Sequence, residues 1–334
     1  MEAKLVAELP EDGAWQFEPK WDGFRCLVFK AGRKIDLIAK SGKPLSRYFP
    51  EIVEAFAKVK PDHFILDGEL LIPIGTTLSF DGLQMRLHPA QSRIDKLSLE
   101  TPAIFMAFDI LMDDQAQTYT DRPLRQRRAA LNAQIKRFGK TDRIKLSPYS
   151  RKLSDARNWL ATAGSGALDG VIAKPLEEPY QPEIRAMLKV KPLRTADCVV
   201  GGFRYATGSK EVGSMLLGLY DDEGKLNHVG FTSGISNNDR PALTTKLEKL
   251  RGGPGFTGNA PGGPSRWTTE RSAEWVPLKS KLVVEVAYDQ ITAGRFRHGT
   301  RFVRWRPDKA PQQCTCEQMQ AEARPPAPII KSLR

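Results

Sequence analysis

The sequence is poor in the residues that build metal centres and hydrolytic triads. Its 334 residues include four cysteines and four histidines. Cys26 and Cys198 stand alone in apolar runs that read as strands, where cysteine behaves as a small core residue. Cys314 and Cys316 form a C-x-C with no second pair and no histidine nearby, which leaves a zinc site with little support. His63, His88, His228 and His298 are scattered, so no Ser-His-Asp pattern emerges. There is no apolar run of about 18 residues, and no transmembrane helix is expected. The opening "MEAKLVAELPEDGAW" lacks the charged-then-apolar order of a secretion signal, which leads to the expectation of a cytoplasmic protein. No G-x-x-x-x-G-K-[ST] loop occurs. "GPGFTG" at 253–258 matches G-x-G-x-x-G by letter only, because it follows a helical pattern instead of a strand and contains a proline.

What the chain does have is basic residues. Lys and Arg number 51 against 39 Asp and Glu, and the isoelectric point is about 9.5. Such an excess favours a polyanionic partner such as nucleic acid. No polybasic run beside an amphipathic anchor supports a membrane surface instead.

Up to about residue 190, short apolar runs alternate with turns and a few helical segments. "FRCLVF", "AGRK" and "IDLIAK" read as a hairpin, with the first strand buried on both faces. "YFPEIVEAFAKV" places Phe49, Ile52, Val53 and Phe56 at helical intervals. "FILDGELLIP" and "AIFMAFDILM" read as central strands, and "RPLRQRRAALNAQIKRF" as a basic helix with Leu124, Leu131 and Ile135 inward. "ARNWLATAGSG" ends a helix at its glycines, and "LDGVIAKP" and "AMLKVKP" follow as strands. After "KPLRTAD" the texture changes to five short strands and the helix "DRPALTTKLEKLR" over about 120 residues, the pattern of a small OB-type barrel. The tail "EARPPAPIIKSLR" is proline-rich and expected to be flexible.

Chemistry concentrates in a few places. In "EPKWDGFR", Lys20 stands between a proline and an apparent Trp-Asp-Gly turn, where an apolar strand starts. A lysine amine becomes nucleophilic when desolvation or neighbouring cations depress its pKa; the plainer reading is an exposed strand end. A two-residue period puts Asp67 and Glu69 on one face of their strand, where two carboxylates need partners or a cation. The same period puts Lys189 and Lys191 together, a pair that calls for an anion. "LDGVIAK" adds Asp169 and Lys174. Carboxylates for a divalent metal, lysines for phosphate and a candidate nucleophile together suggest phosphoryl or nucleotidyl transfer.

The order K-x-D-G-x-R, D-G-E, F-D, D-G-V-I-A-K, K-x-K and a closing R-x-D-K resembles the covalent nucleotidyltransferases: ATP-dependent DNA ligases, RNA ligases and mRNA capping enzymes. The resemblance runs from about residue 15 to residue 309. Within that superfamily, "FDGLQMRLHP", "RAMLKVKPLRTADCVVGGFR" and "RFVRWRPDK" look most like the short bacterial repair-type ATP-dependent DNA ligases. The resemblance implies an α+β nucleotidyltransferase fold (ATP-grasp-like, antiparallel sheets with helices) followed by an all-β OB-fold barrel. The implied boundaries are 1–192 for the adenylation domain, 196–317 for the OB domain and 318–334 for the tail, with a hinge near Lys191–Ala196 that lets the OB domain swing. No further DNA-binding domain is expected in this length.

Roles follow from the resemblance, position by position. Lys20 would attack the α-phosphate of ATP and carry AMP. Glu18 would sit beside the adenine, Phe108 would stack on it, and Arg25 would bind ribose and later the 5′-phosphate of a nick. Lys40 would join the nucleotide-binding set. Glu69 and Asp169 would contact ribose or a Mg²⁺ or Mn²⁺ ion. Arg185, Lys189 and Lys191 would hold the phosphates, and Arg306, Asp308 and Lys309 would form the last motif. Plainer readings stand beside these: Phe108 as core, Asp67 as a shaper of its Asp-Gly turn, Lys174 as a solvated strand end, and the closing basic strand as a DNA-facing surface. Arg304 competes with Arg306 for its motif position.

Three positions depart from the family pattern. Asp169 replaces the usual glutamate, and its shorter reach suggests a Mn²⁺ preference; unchanged metal preference in Asp169→Glu would count against this. Lys40 stands where arginine is usual, so a fork becomes a point charge. Met187 takes an aromatic position. The implied activity is ATP-dependent sealing of nicked duplex DNA in repair, by a monomer, nucleoid-associated in a bacterium, with a repair polymerase as a possible partner. RNA ligation or guanylylation on the same scaffold, and a non-catalytic OB-type nucleic-acid-binding protein, are the alternatives.

Overall fold

The computed structural model describes the chain except for residues 76, 164–167, 193, 263–273, 293 and 321–334. The chain divides into two compact units, the first ending at Pro192. Among the described residues, no helix is long and apolar enough to cross a membrane.

The first unit contains strands β1 (Ala3–Val6), β2 (Trp15–Trp21), β3 (Phe24–Ala31), β4 (Lys34–Ala39), β5 (His63–Leu71), β6 (Pro73–Ile74), β7 (Thr77–Leu78), β8 (Ile104–Met112), β9 (Ile144–Leu146), β10 (Leu168–Pro175) and β11 (Met187–Val190). Its helices are α1 (Pro50–Ala57), α2 (Phe80–Arg86), α3 (Gln91–Glu100), α4 (Leu124–Phe138) and α5 (Leu153–Thr162). A four-stranded sheet has the order β1-β11-β10-β2, and a five-stranded sheet the order β4-β3-β5-β8-β9. Both are largely antiparallel, as expected, but each carries one parallel pair at an edge, β1 with β11 and β8 with β9.

The larger sheet carries the main core. Ile52 and Phe56 of α1 and Leu131 of α4 pack with Val28, Leu66 and Phe105. The hairpin "FRCLVFKA…KIDLIA" forms as expected. It is not buried on both faces, because β3 alternates and buries Cys26, Val28 and Lys30. Lys30 goes inward because its Nζ donates to the carbonyls of Phe56 and Val59, at 2.9 and 2.8 Å, around the C-terminal end of α1. The Phe56 carbonyl, in the last turn of α1, lacks a helical partner and carries the negative end of the helix dipole. The basic helix α4 turns Leu124 and Leu131 inward, but it also buries Arg127, whose guanidinium bonds both oxygens of Asp109 at 2.9 and 3.1 Å. The glycines expected to end α5 lie outside the described residues.

The second unit is built on a six-stranded antiparallel sheet. Its path is β14 (Leu226–Thr232), β13 (Val212–Tyr220), β12 (Arg194–Tyr205), β16 (Val283–Tyr288) and β19 (Arg301–Trp305), with β15 (Val276–Pro277) also on β12. A small ladder joins β17 (Ile291–Thr292) to β18 (Arg295–Phe296), and a parallel bridge joins Thr232 to Thr300. Helix α6 (Arg240–Glu248) packs on β13. This largely β unit is consistent with the expected OB fold. Of the expected tail 318–334, Gln318 to Gln320 belong to a short helix, Glu317–Gln320, and Gln318 bonds the backbone of Asp197 in both directions at 3.0 Å. The rest of that tail lies outside the described residues.

Candidate active site

Lys20 is not at the start of an apolar strand. It lies near the end of β2 in the smaller sheet, and Asp22–Gly23 carry the chain over to β3 in the larger one. A Cβ on Gly23 would lie 2.3 Å from the Leu70 carbonyl oxygen, so only glycine permits that crossing. Lys20 therefore belongs to one sheet, while Arg25, five residues later, belongs to the other.

In the smaller sheet, β2 pairs with β10 so that Lys20 faces Gly170, Glu18 faces Ile172 and Gln16 faces Lys174. Lys174 reaches diagonally to Glu18, with Nζ 2.8 Å from Oε2, while Gln16 donates to Oε1 at 2.7 Å. All three side chains are buried. Lys174 is thus no solvated strand end: a buried carboxylate opposite it supplies its counter-charge. Gly170 has φ +147, and a Cβ there would lie 2.1 Å from the Val190 carbonyl oxygen. This close approach of β10 to β11 places Asp169 between two lysines. Its Oδ2 lies 2.5 Å from the Lys20 Nζ and 3.0 Å from the Lys191 Nζ.

In the larger sheet, Arg25 faces Glu69 across β3 and β5. Its guanidinium grips Asp67 with two bonds, 3.1 and 2.6 Å, and Tyr180 donates its hydroxyl to the same carboxylate at 2.8 Å. Asp67 and Gly68 are mid-strand, so the expected Asp-Gly turn is absent there and the aspartate is the buried counter-ion of Arg25. Glu69 keeps some exposure, yet burial of its carboxyl pushes the pKa up to about 8, against the opposing pull of Lys20 and Arg25. Lys189 is shifted down, first by desolvation and then by the charges of Lys20 and Lys191.

These side chains enclose a pocket of about 480 Å³. Glu18, Lys20, Arg25, Lys40, Glu69, Phe108, Arg185 and Lys189 all line it; Asp169 joins it through Lys20, and Lys191 through Asp169. Phe108 is not simple core: it borders the pocket, with the Lys174 Nζ 4.7 Å from its ring centroid. Met187 also lines the pocket. Sequence reasoning missed Glu2, Gln16 and Tyr180. The last two are partners of residues far away in sequence or of a strand neighbour two positions on, and no local pattern marks them.

Arg306, Asp308 and Lys309 gather within the second unit. Arg306 bonds both oxygens of Asp197 at 2.8 and 2.9 Å and also pairs with Asp308 at 2.8 Å. Lys309 reaches Asp197 at 2.8 Å. The pairing with Arg306 holds the Asp308 carboxyl down at about 2. Arg304, the rival for the motif position, pairs instead with Glu285 at 2.6 Å.

A first domain of mixed sheets with helices around a charged pocket, followed by an all-β second domain, is consistent with the nucleotidyltransferase class with an OB-type second domain. The model of the ATP dependent DNA ligase domain matches residues 3–191, and that of the ATP dependent DNA ligase C terminal region matches 208–309. The chain is similar to DNA ligase C2 of Mycolicibacterium smegmatis, at 42% identity over 96% of this chain and 93% of that one. DNA ligase C of Mycobacterium tuberculosis is 40% identical over the same shares. A solved structure from the Lig E DNA ligases shares the fold, with a TM-score of 0.58 at 16% identity over 92% of this chain and all of that one. The chain belongs to the ATP-dependent DNA ligase family, and its activity is that of an ATP-dependent DNA ligase.

Proposed function

We propose that the chain seals 5′-phosphate/3′-hydroxyl nicks in duplex DNA, in the service of repair, through AMP carried on Lys20. The observation behind this reading is the placement of the Lys20 amine. It is held by Asp169 at one wall of a pocket that has a buried carboxylate, an aromatic face and several cations around it.

Glu18, fixed by Gln16 and Lys174, offers a rigid polar edge for the adenine, and Phe108 offers its face for stacking. Lys20 Nζ forms a bond to the α-phosphorus as the bond to pyrophosphate breaks. Lys189, Lys191 and Arg185 stabilise the charge that develops on the phosphate oxygens. Asp169 orients both lysines and keeps their mutual repulsion in check. Arg25, its fork locked on Asp67, supplies a fixed positive charge for ribose and then for the 5′-phosphate. AMP then passes to that 5′-phosphate, and the 3′-hydroxyl displaces it. Arg306, Asp308 and Lys309 take the part of the last motif from the second unit.

Among the described residues, no cluster of three or more metal-ligating side chains forms. The two carboxylates Glu69 and Asp169 fit a hard divalent ion in company with phosphate oxygens, not as a closed protein cage. Mg²⁺ or Mn²⁺ held there would supply charge neutralisation at the phosphates. The domain limits 1–192 and 196–317, a monomeric state, a cytoplasmic and nucleoid location and a repair polymerase as partner complete the reading.

Incubation with α-labelled ATP and Mg²⁺ is expected to yield a covalent protein adduct that is lost in Lys20→Ala. Labelling from GTP but not ATP would favour guanylylation on the same scaffold, and absence of any adduct would remove the lysyl-AMP route.

A further inference from the structure

Most cations of the pocket have deep counter-ions. Lys20 and Lys191 share Asp169, Arg25 has Asp67, and both aspartates are buried on strands. Lys40 and Arg185 differ. Both line the pocket, and each pairs with the carboxylate of Glu2, Lys40 at 2.7 Å and Arg185 at 3.8 Å. The backbone of Glu2 is fixed: its N–H donates to the Ile184 carbonyl at 2.8 Å, and its carbonyl accepts from the Met187 N–H at 3.2 Å. These bonds lead into the parallel pairing of β1 with β11. The carboxylate is therefore delivered to the pocket by a strand.

Its two pairs are nonetheless exchangeable. Lys40 is 61% exposed and Arg185 73%, against 29% for Glu2. Ion pairs so open to water are weak, and an anion of higher charge displaces a single carboxylate from them. A hydrogen bond from Lys40 and the charges of Lys40 and Arg185 hold the Glu2 carboxyl below the usual carboxylate range.

We propose that Glu2 is an internal counter-anion that occupies Lys40 and Arg185 in place of a phosphate group, and that it sets how tightly this end of the pocket grips phosphate. The inference rests on the reading of the pocket as the site of lysyl-AMP formation. The phosphate has two possible sources, the leaving pyrophosphate portion of ATP or the terminal 5′-phosphate of a nick. In either case Glu2 weakens the grip and speeds release, at the expense of affinity.

The test compares the native chain with Glu2→Gln, which keeps the shape and removes the charge. One arm measures lysyl-AMP formation across ATP concentrations and the pyrophosphate concentration that reverses half of the preformed adduct. The other measures binding of the preadenylylated protein to nicks ending in 5′-phosphate or 5′-hydroxyl. Glu2→Gln is expected to tighten one arm by about two- to five-fold, the scale of an exposed charge pair. The ATP arm identifies pyrophosphate as the displacing anion. A change confined to 5′-phosphate nicks identifies the DNA end. In an Arg185→Gln background the effect should shrink, and an undiminished effect there would overturn the assignment. Unmoved or weakened binding in both arms, with a normal native adduct, overturns the role of Glu2 alone. A native chain that forms no adduct overturns the pocket reading together with it.

Discussion

Each unit of the molecule holds one aspartate between two cations, and the two arrangements are built differently. Asp169 in the first unit presents a single oxygen, Oδ2, to two lysines. Asp197 in the second shares both oxygens with a single nitrogen of Arg306, Nη1, and adds Lys309, while the Nε and Nη2 fork of that guanidinium closes on Asp308. A bidentate guanidinium fixes geometry, whereas a point-charge ammonium turns and leaves readily. The first clamp suits a side chain that must release its partner to react. The second suits a joint that holds its strand end in place, with Arg306 further tied to Asp308.

That difference can be broken from either side. Asp169→Asn is expected to lower the rate of lysyl-AMP formation by about 100-fold or more, the usual scale for losing a group that orients reacting charges, and to lower the urea midpoint of unfolding as well, because two part-buried lysines lose their carboxylate. Asp197→Asn should change that rate far less. It leaves Lys309 without its carboxylate, while Arg306 keeps Asp308, and should cost the second unit about 1–3 kcal/mol in urea unfolding. Equal effects of the two substitutions on both measurements would erase the distinction.

A smaller effect concerns the second unit alone. His228 is buried, and desolvation followed by the charge of Arg295 lowers its pKa from 6.5 to about 3. Arg295 donates to its Nδ1 at 2.7 Å, which requires a neutral ring at that nitrogen. The unfolded chain binds a proton at this residue between those two values and the folded chain does not. The contribution of His228 to stability is therefore fully present above about pH 6.5 and is lost as pH falls towards 3. Between pH 7 and pH 5 it should remove about 2 kcal/mol, and His228→Gln should abolish that part of the slope in urea titrations at the two pH values.

Local pattern carried the elements well wherever side chains alternate or recur on one face. The β3–β4 hairpin, α1, α4, β5 and β8 all lie where spacing put them. The small strand β1 escaped because four residues of mixed polarity have no period, and Glu2 escaped with it. Buried charge was the main source of error. Asp67 was read as a turn former from the Asp-Gly pair, but Gly68 is there for a different reason. A Cβ on it would lie 2.3 Å from the Phe105 ring, so the glycine admits a neighbouring strand's side chain. The solvated-end alternative for Lys174 stayed open in the sequence because its partner, Glu18, is 156 residues away. The motif order named Lys20, Glu69, Lys189 and Lys191, and the pocket brings these into one neighbourhood. It did not disclose that Asp169 would bind Lys20 directly, since that contact depends on the glycine beside it.

The central claim is that Lys20, among the several lysines at this pocket, carries the nucleotide. Digestion of the protein after reaction with ATP, followed by mass spectrometry of the peptides, tests it directly. One AMP per chain on the peptide containing Lys20 is the expected result. AMP on Lys174, Lys189 or Lys191, with Lys20 unmodified, would contradict it.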